Sequence, residues 1–322
     1  MLLFSLSIVA GLGLLVAGSD RFVVGAAAIA RNLGISPMIV GLTIVALGTS
    51  APEMLVSMMA ALSGNPGIAV GNALGSNIAN VALVVGVSAI ICPLMVASQT
   101  LRREFPMLFL VTAFSWLLLA DGELSRFDAV LLMLGLVAVL LFIIRMARAA
   151  RRSDPLKQEL EGQSGKRMTT ARALLWLGLG LAALLLASKA LVWGASGIAH
   201  GYGVSDLVIG LTIVAVGTSL PELAASALSA WRNEPDIAIG NVLGSNMFNL
   251  LPVLGLAGLV KPFEIHSIAL HRDFPVMTTL SVVLFMMCVG RGGPGRVSRL
   301  EGVLLLGTFV AYQSYLYLHT SG

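Results

Sequence analysis

Charge is scarce in this sequence. Only 11% of its 322 residues are Asp, Glu, Lys or Arg, and 57% are hydrophobic; soluble domains run at about 25% charged and 45–50% apolar. A water-solvated globule of this length has no use for so much apolar surface, so the bilayer is the expected solvent. Cysteine is scarcer still. Cys92 and Cys288 are the whole supply, both inside apolar runs, which excludes a disulfide framework and a thiolate metal site. The net charge is +4, but the basic residues sit beside apolar runs instead of forming a patch. That placement argues against a nucleic-acid partner.

What is present is a series of apolar segments, near 2–30, 37–62, 68–92, 104–120, 126–145, 172–199, 206–230, 237–260, 273–290 and 299–318. They predict an all-α polytopic membrane protein with ten transmembrane helices. The first run lacks a basic leader and continues through Phe22 to Ala30, so it reads as a span and not a cleaved signal. One polar, basic stretch interrupts the series at 149–170. Cationic loops stay in the cytoplasm, so this linker is expected inside. Arg31, Arg102, Arg103, Arg232, Arg291, Arg296 and Arg299 then fall on the same side, with both termini outside.

The chain repeats itself at an offset of 169 residues. "GLTIVALGTSAPE" (41–53) matches "GLTIVAVGTSLPE" (210–222) at eleven of thirteen positions, and "IAVGNALGSNIAN" (68–80) matches "IAIGNVLGSNMFN" (237–249) at nine. "RREFP" at 102 falls on "HRDFP" at 271, and after a four-residue slip "SRFDAVLL" at 125 falls on "SRLEGVLL" at 298. Residues 1–148 and 171–322 are thus expected to be two halves of five spans each, with repeated cores at about 41–86 and 210–255. An odd number of spans turns the second half upside down, the inverted-repeat plan of many secondary transporters.

Each copy places chemistry at bilayer depth. Thr49, Ser50 and Glu53 share a helical face, as do Thr218, Ser219 and Glu222. Pro52 and Pro221 deny a hydrogen bond to the carbonyl four residues back, so a helix break is expected there, with carbonyls near Ala46 and Ala215 opened. Asn72, Ser76 and Asn80 form a stripe at four-residue spacing, mirrored by Asn241, Ser245 and Asn249. Every one of these groups is an oxygen ligand, and none of the segments 37–62, 206–230 and 237–260 holds His, Cys, Lys or Arg. Hard cations want such oxygens, whereas zinc or copper would favour imidazole and thiolate. Ionised carboxylates in hydrocarbon need a partner, so a bound cation or a proton must neutralise Glu53 and Glu222. Asn72 and Asn241 are candidates for a place just behind the ligands or for plain helix bridging.

The paired Gly-Thr-Ser-x-Pro-Glu and Gly-Asn-x-x-Gly-Ser-Asn motifs resemble those of the cation/calcium exchangers, in the sodium/calcium exchanger branch. The resemblance covers nearly the whole chain. It implies ten helices in two inverted halves, four central helices around the ions, and long first and sixth helices that slide during alternating access. It also implies Glu53 and Glu222 as ligands of Ca2+ and Na+, with oxygens from Thr49 and Thr218, and hydroxyls of Ser50, Ser219, Ser76 and Ser245. The Ala46 and Ala215 carbonyls and the Asn80 amide complete the implied set. Asn249 departs from relatives that carry Asp there; an amide adds no charge, which speaks against a K+ requirement. The expectation is a Na+/Ca2+ antiporter of a prokaryotic inner membrane, with both ions as cargo and no cofactor. Alternatives are a proton-coupled Ca2+ or Mn2+ antiporter on the same fold, a passive cation channel, and an intramembrane hydrolase using Ser50 or Ser219 with His200 as base.

Overall fold

Each long apolar run folds as a helix, because chain in hydrocarbon must satisfy its own N–H and C=O groups. The computed structural model describes residues 1–96, 98–153, 168–202, 215–289 and 295–320. Helix α1 (Leu2–Leu33) stops at Gly34, whose φ of 61° is the left-handed conformation glycine adopts most easily. Ser36 then caps α2 (Pro37–Thr49), accepting from the Ile39 N–H. A 42° bend separates α2 from α3 (Ala51–Leu62), and α4 (Pro66–Ile91), α5 (Ser98–Leu119) and α6 (Arg126–Ser153) follow.

The second half runs α7 (Thr170–Gly201), α8 (Ala215–Thr218), α9 (Leu220–Trp231), α10 (Pro235–Val260), α11 (Phe274–Cys288) and α12 (Arg299–Thr320). The "SRFD" and "SRLE" copies are matching helix caps. The Ser125 N–H reaches Asp128 at 3.0 Å and the Ser298 N–H reaches Glu301 at 2.7 Å, the carboxylate returning to the cap residue as in a capping box.

Among the described residues, helices α1, α4, α6, α7 and α10 are long and apolar enough to cross a bilayer, and the bent pair α2 and α3 makes a sixth when counted as one broken span. The expected ten are not reached on that measure among the described residues. Helix α5 opens with Arg102, Arg103 and Glu104, α11 has 15 residues, and residues 203–214, ahead of α8, lie outside the description. Most of the linker at 149–170 also lies outside it.

Four short strands depart from the all-helical expectation: β1 (Leu94–Val96), β2 (Glu123–Leu124), β3 (Phe263–Glu264) and β4 (Gly295–Val297). They form two antiparallel pairs, β1 with β4 and β2 with β3. Each pair joins the two halves. Helix α5 leads from the first pair to the second, and α11 leads from the second back to the first. These repeat mates therefore run in opposite directions.

Burial sorts the helices by role. In their most apolar stretches α4 and α10 are 78% and 89% buried, against 17% for α1 and α6 and 28% for α7. The repeated motif helices form the centre, and α1 and α7 lie outside it, packed along each other. Their contact is close: a Cβ on Gly25 would stand 2.7 Å from the Leu177 nitrogen, and one on Gly180 2.8 Å from the Gly18 oxygen. Gly240 and Gly244 likewise seat α10 against α2, as small-residue packing requires. Gly71 and Gly75 meet nothing within 4 Å. By the 169-residue offset their expected neighbours are residues 207–211, outside the description, and for Gly75 also Ala215.

Candidate cation site

The bends stand where the prolines require them. Ser50 and Ser219 are the breaking residues, with ψ near 3° in both, and Pro52 and Pro221 occupy the first turns of α3 and α9. Glu53 and Glu222 lie in those same first turns, where helix dipoles favour negative charge. Both glutamates are 1% exposed. Ser50 ties the halves together by donating to Glu222 Oε1 at 3.2 Å. Ser50 lies three residues before Glu53, so this bond draws the segments that carry the two carboxylates together.

The single Thr49 hydroxyl hydrogen has two acceptors in reach, Asn241 Oδ1 at 3.2 Å and the Ala46 carbonyl at 3.4 Å, and that carbonyl also accepts from the Ser50 N–H at 2.9 Å. The opened carbonyls are thus only partly open in the first half. In the second half the Ser219 N–H goes to Val216 instead of Ala215, and the Gly217 carbonyl left by Pro221 is taken by Ser188 at 2.6 Å. Thr218 is buried.

Asn72 and Asn241 brace the helices that carry the glutamates. Asn72 Nδ2 donates to the Glu53 main-chain oxygen and to Ser57, and Asn241 Nδ2 donates to the Glu222 main-chain oxygen and to Ser226. Ser76, Ser245, Asn80 and Asn249 are all buried on α4 and α10. Both helices widen into a π-turn there, over Asn80–Val85 and Asn249–Val253. Pro252 lies in the second wide turn, but its mate in the first is Leu83, so the proline does not explain the widening. Such turns cluster at functional sites.

Several buried oxygens here lack a hydrogen-bond partner: Glu53 Oε1 and Oε2, Glu222 Oε2, Asn80 Oδ1, Asn249 Oδ1, and the Ser219 and Ser245 hydroxyls. A buried acceptor left unpaired costs about 1–3 kcal/mol, and a charged one more. No Lys or Arg among the described residues pairs with either glutamate. Nor do three or more His, Cys, Asp or Glu gather among the described residues. The arrangement is a set of buried, unpaired acceptors on the two glutamates and on the helices packed against them, of the kind a hard cation takes. It does not assemble a hydrolase, since Ser50 donates to Glu222 and His200 is exposed in the last turn of α7.

Asn77 and Asn246 escaped the sequence reading. A strict four-residue stripe through 72, 76 and 80 passes beside position 77, yet both Gly-Ser-Asn copies carried the signal. Their amides cross between the halves to reach Asn249 and Asn80.

Comparisons with known proteins agree with this picture. The family model described as "Sodium/calcium exchanger protein" matches residues 3–145 and 172–318. The chain is 48% identical to CaxA of Alkalimonas amylolytica over 98% of its length and 99% of the relative's. It is 41% identical to the inner membrane protein YrbG of Escherichia coli (strain K12), covering 98% of each, and 35% identical to the sodium/calcium exchanger MaX1 of Methanosarcina acetivorans, covering 95% and 96%. The solved structure of the sodium/calcium exchanger from Methanococcus jannaschii superposes with a TM-score of 0.82 at 32% identity, over 97% and 98% of the two chains. MaX1 and the Methanococcus jannaschii protein are exchangers, transporters for which the ions are cargo, and not enzymes. The chain belongs to the sodium/calcium exchanger family of membrane antiporters.

Proposed function

We propose that the protein exchanges Na+ for Ca2+ by alternating access, with both ions competing for one cage of oxygens. The observation that carries this reading is the set of unpartnered buried acceptors on the repeated segments, those of Glu53 and Glu222 among them. In the proposed site those carboxylates bind either ion. Thr49, Thr218, Ser50, Ser219, Ser76, Ser245, Asn80, Asn249 and the carbonyls of Ala46 and Ala215 supply further oxygens. Two carboxylates balance one Ca2+ in charge, and the same oxygens divide among several Na+ ions. Occupancy by one ion set excludes the other, and that exclusion is the coupling. The names of MaX1 and of the Methanococcus jannaschii exchanger support Na+ and Ca2+ as cargo.

The ten-span inverted topology is part of the proposal. It is supported by the opposed directions of α5 and α11 between the two strand pairs. Charge supports an orientation. Arg102, Arg103, Arg296 and Arg299 lie at the end marked by β1 and β4, and Arg31 reaches the same end by pairing with Glu234 at 3.3 Å. With that end in the cytoplasm the linker is inside and both termini outside. The name of YrbG supports a bacterial inner membrane.

The test is radiolabelled Ca2+ uptake into proteoliposomes loaded with Na+, beside Na+-free vesicles carrying a pH gradient. Uptake that requires internal Na+ and is lost in Glu53→Gln and Glu222→Gln is expected. Uptake driven by the pH gradient alone would move the protein to proton exchange, the two carboxylates then carrying the protons. Persistence of uptake in both variants would remove the glutamates from the site.

A further inference from the structure

Asn77 and Asn246 follow Ser76 and Ser245 in the two Gly-Ser-Asn copies, and both are buried. Their side chains serve the opposite half. Asn249 Nδ2 donates to Asn77 Oδ1 at 2.9 Å, and Asn80 Nδ2 donates to Asn246 Oδ1 at 3.1 Å. Each bond engages the nitrogen end of an amide. At the other end of each, Asn249 Oδ1 and Asn80 Oδ1 are buried with no partner.

A primary amide has an acceptor at one end and two donors at the other. Turned by half a rotation, Asn249 or Asn80 would present NH2 where it now presents oxygen, and a cation would meet a positive dipole. Asn77 Oδ1 and Asn246 Oδ1 forbid that turn, because it would set oxygen against oxygen. Asn77 is itself pinned: its Nδ2 donates to the Asn246 main-chain oxygen at 3.2 Å, which can only accept, and contacts Met277 Sδ at 3.2 Å. Asn246 Nδ2 has no partner, so the orientation of Asn80 is held by fewer bonds than that of Asn249.

We infer that Asn77 and Asn246 are positioning residues, each fixing the amide of a cation-site asparagine in the other half so that its oxygen faces the ions. This rests on the reading above, in which Asn80 and Asn249 contribute oxygens. The mechanism has a specific consequence. An aspartate at 249 or 80 has oxygen at both ends, so no half-turn can hide its oxygen from the ions. Its other oxygen then meets Asn77 Oδ1 or Asn246 Oδ1, and removing that asparagine relieves a clash instead of freeing a turn.

The experiment is a double-mutant cycle on Na+-driven Ca2+ uptake, reading half-saturating Ca2+ and Na+ separately from the maximal rate. Asn77→Leu is made in the native background and beside Asn249→Asp, and Asn246→Leu is made in the native background and beside Asn80→Asp. Removing the positioning asparagine should raise half-saturating Ca2+ roughly tenfold in the native background and less than about twofold beside the aspartate. The effect at 77 should exceed that at 246. Equal fold-changes in both backgrounds would mean a purely structural role and overturn the inference. Should one Leu variant fail to fold, the other arm of the cycle decides. If Asn249→Asp and Asn80→Asp leave both half-saturations unchanged, these asparagines are not ligands and the inference fails with them. A native protein whose uptake ignores Na+ would instead sink the exchange reading, before any asparagine is changed.

Discussion

Glu53 and Glu222 keep different company. Glu222 Oε1 accepts from Ser50, whereas neither oxygen of Glu53 has a hydrogen-bond partner. Ser50→Ala strips a donor from a buried carboxylate, and bonds to charged groups contribute about 1.5–3 kcal/mol. The Ser219 hydroxyl has no partner to lose. In ion-free detergent Ser50→Ala should therefore lower Tm more than Ser219→Ala, and equal Tm values for the two would contradict the bonding described.

Ca2+ adds a second comparison. Ca2+ at a hundredfold excess over its Kd should stabilise the native protein by about 2.7 kcal/mol, and chelation should reverse it. Glu53→Gln should lose that Ca2+-dependent Tm rise, because the amide removes one of the two carboxylates that balance the ion's charge. A variant that kept the rise would show that the ion binds elsewhere. At this scale the sequence disclosed that carboxylates, hydroxyls and amides stand inside apolar runs, where an ionisable group needs a partner. It hid the partners of Asn77 and Asn246, because those bonds link residues 166–172 positions apart.

Among the elements, α1 and α7 offer the sharpest contrast. Gly180 lies against the backbone of α1, and Gly178, two residues earlier, faces open space. Gly178→Ala should be neutral or stabilise by up to about 1 kcal/mol through helix propensity. Gly180→Ala should overpack the seam at a cost of about 1–3 kcal/mol, and transport should slow as the two helices are forced apart. Thermal melts and uptake rates on the pair check both; similar behaviour of the two variants would mean the seam is looser than described. Helix extents were legible, because apolar runs end at Gly, Ser-Pro and Asn-Pro signals. The wide turns at Asn80 and Asn249 were not. Nothing local marks them, and Leu83 at the place of Pro252 shows that the residue type is not their cause.

For the molecule as a whole, duplication was the most legible feature, an offset of 169 residues readable by eye. The strand pairs were illegible. Two or three residues make too short a run to show a period, and their partners lie in the other half. Inversion can be checked directly. Ser63 and Arg232 are repeat mates, and both are exposed. With Cys92 and Cys288 replaced, Ser63→Cys should react with an impermeant maleimide on intact cells, and Arg232→Cys only after permeabilisation. Labelling of both from the same side would make the repeats parallel.

The crossed pairings of strands and amides bear on ancestry. Take one half away and β1 or β2 has no strand beside it, Asn80 and Asn249 lose the residues that hold them, and one carboxylate remains where two are found. A gene encoding a single half could complete every one of these pairs only by meeting a second copy of its product inserted the other way up. Such a product would have to enter the membrane in both orientations, and so could afford little bias in its loop charges. The basic linker, which in the proposed topology favours one orientation for each half, would then be an acquisition that followed fusion.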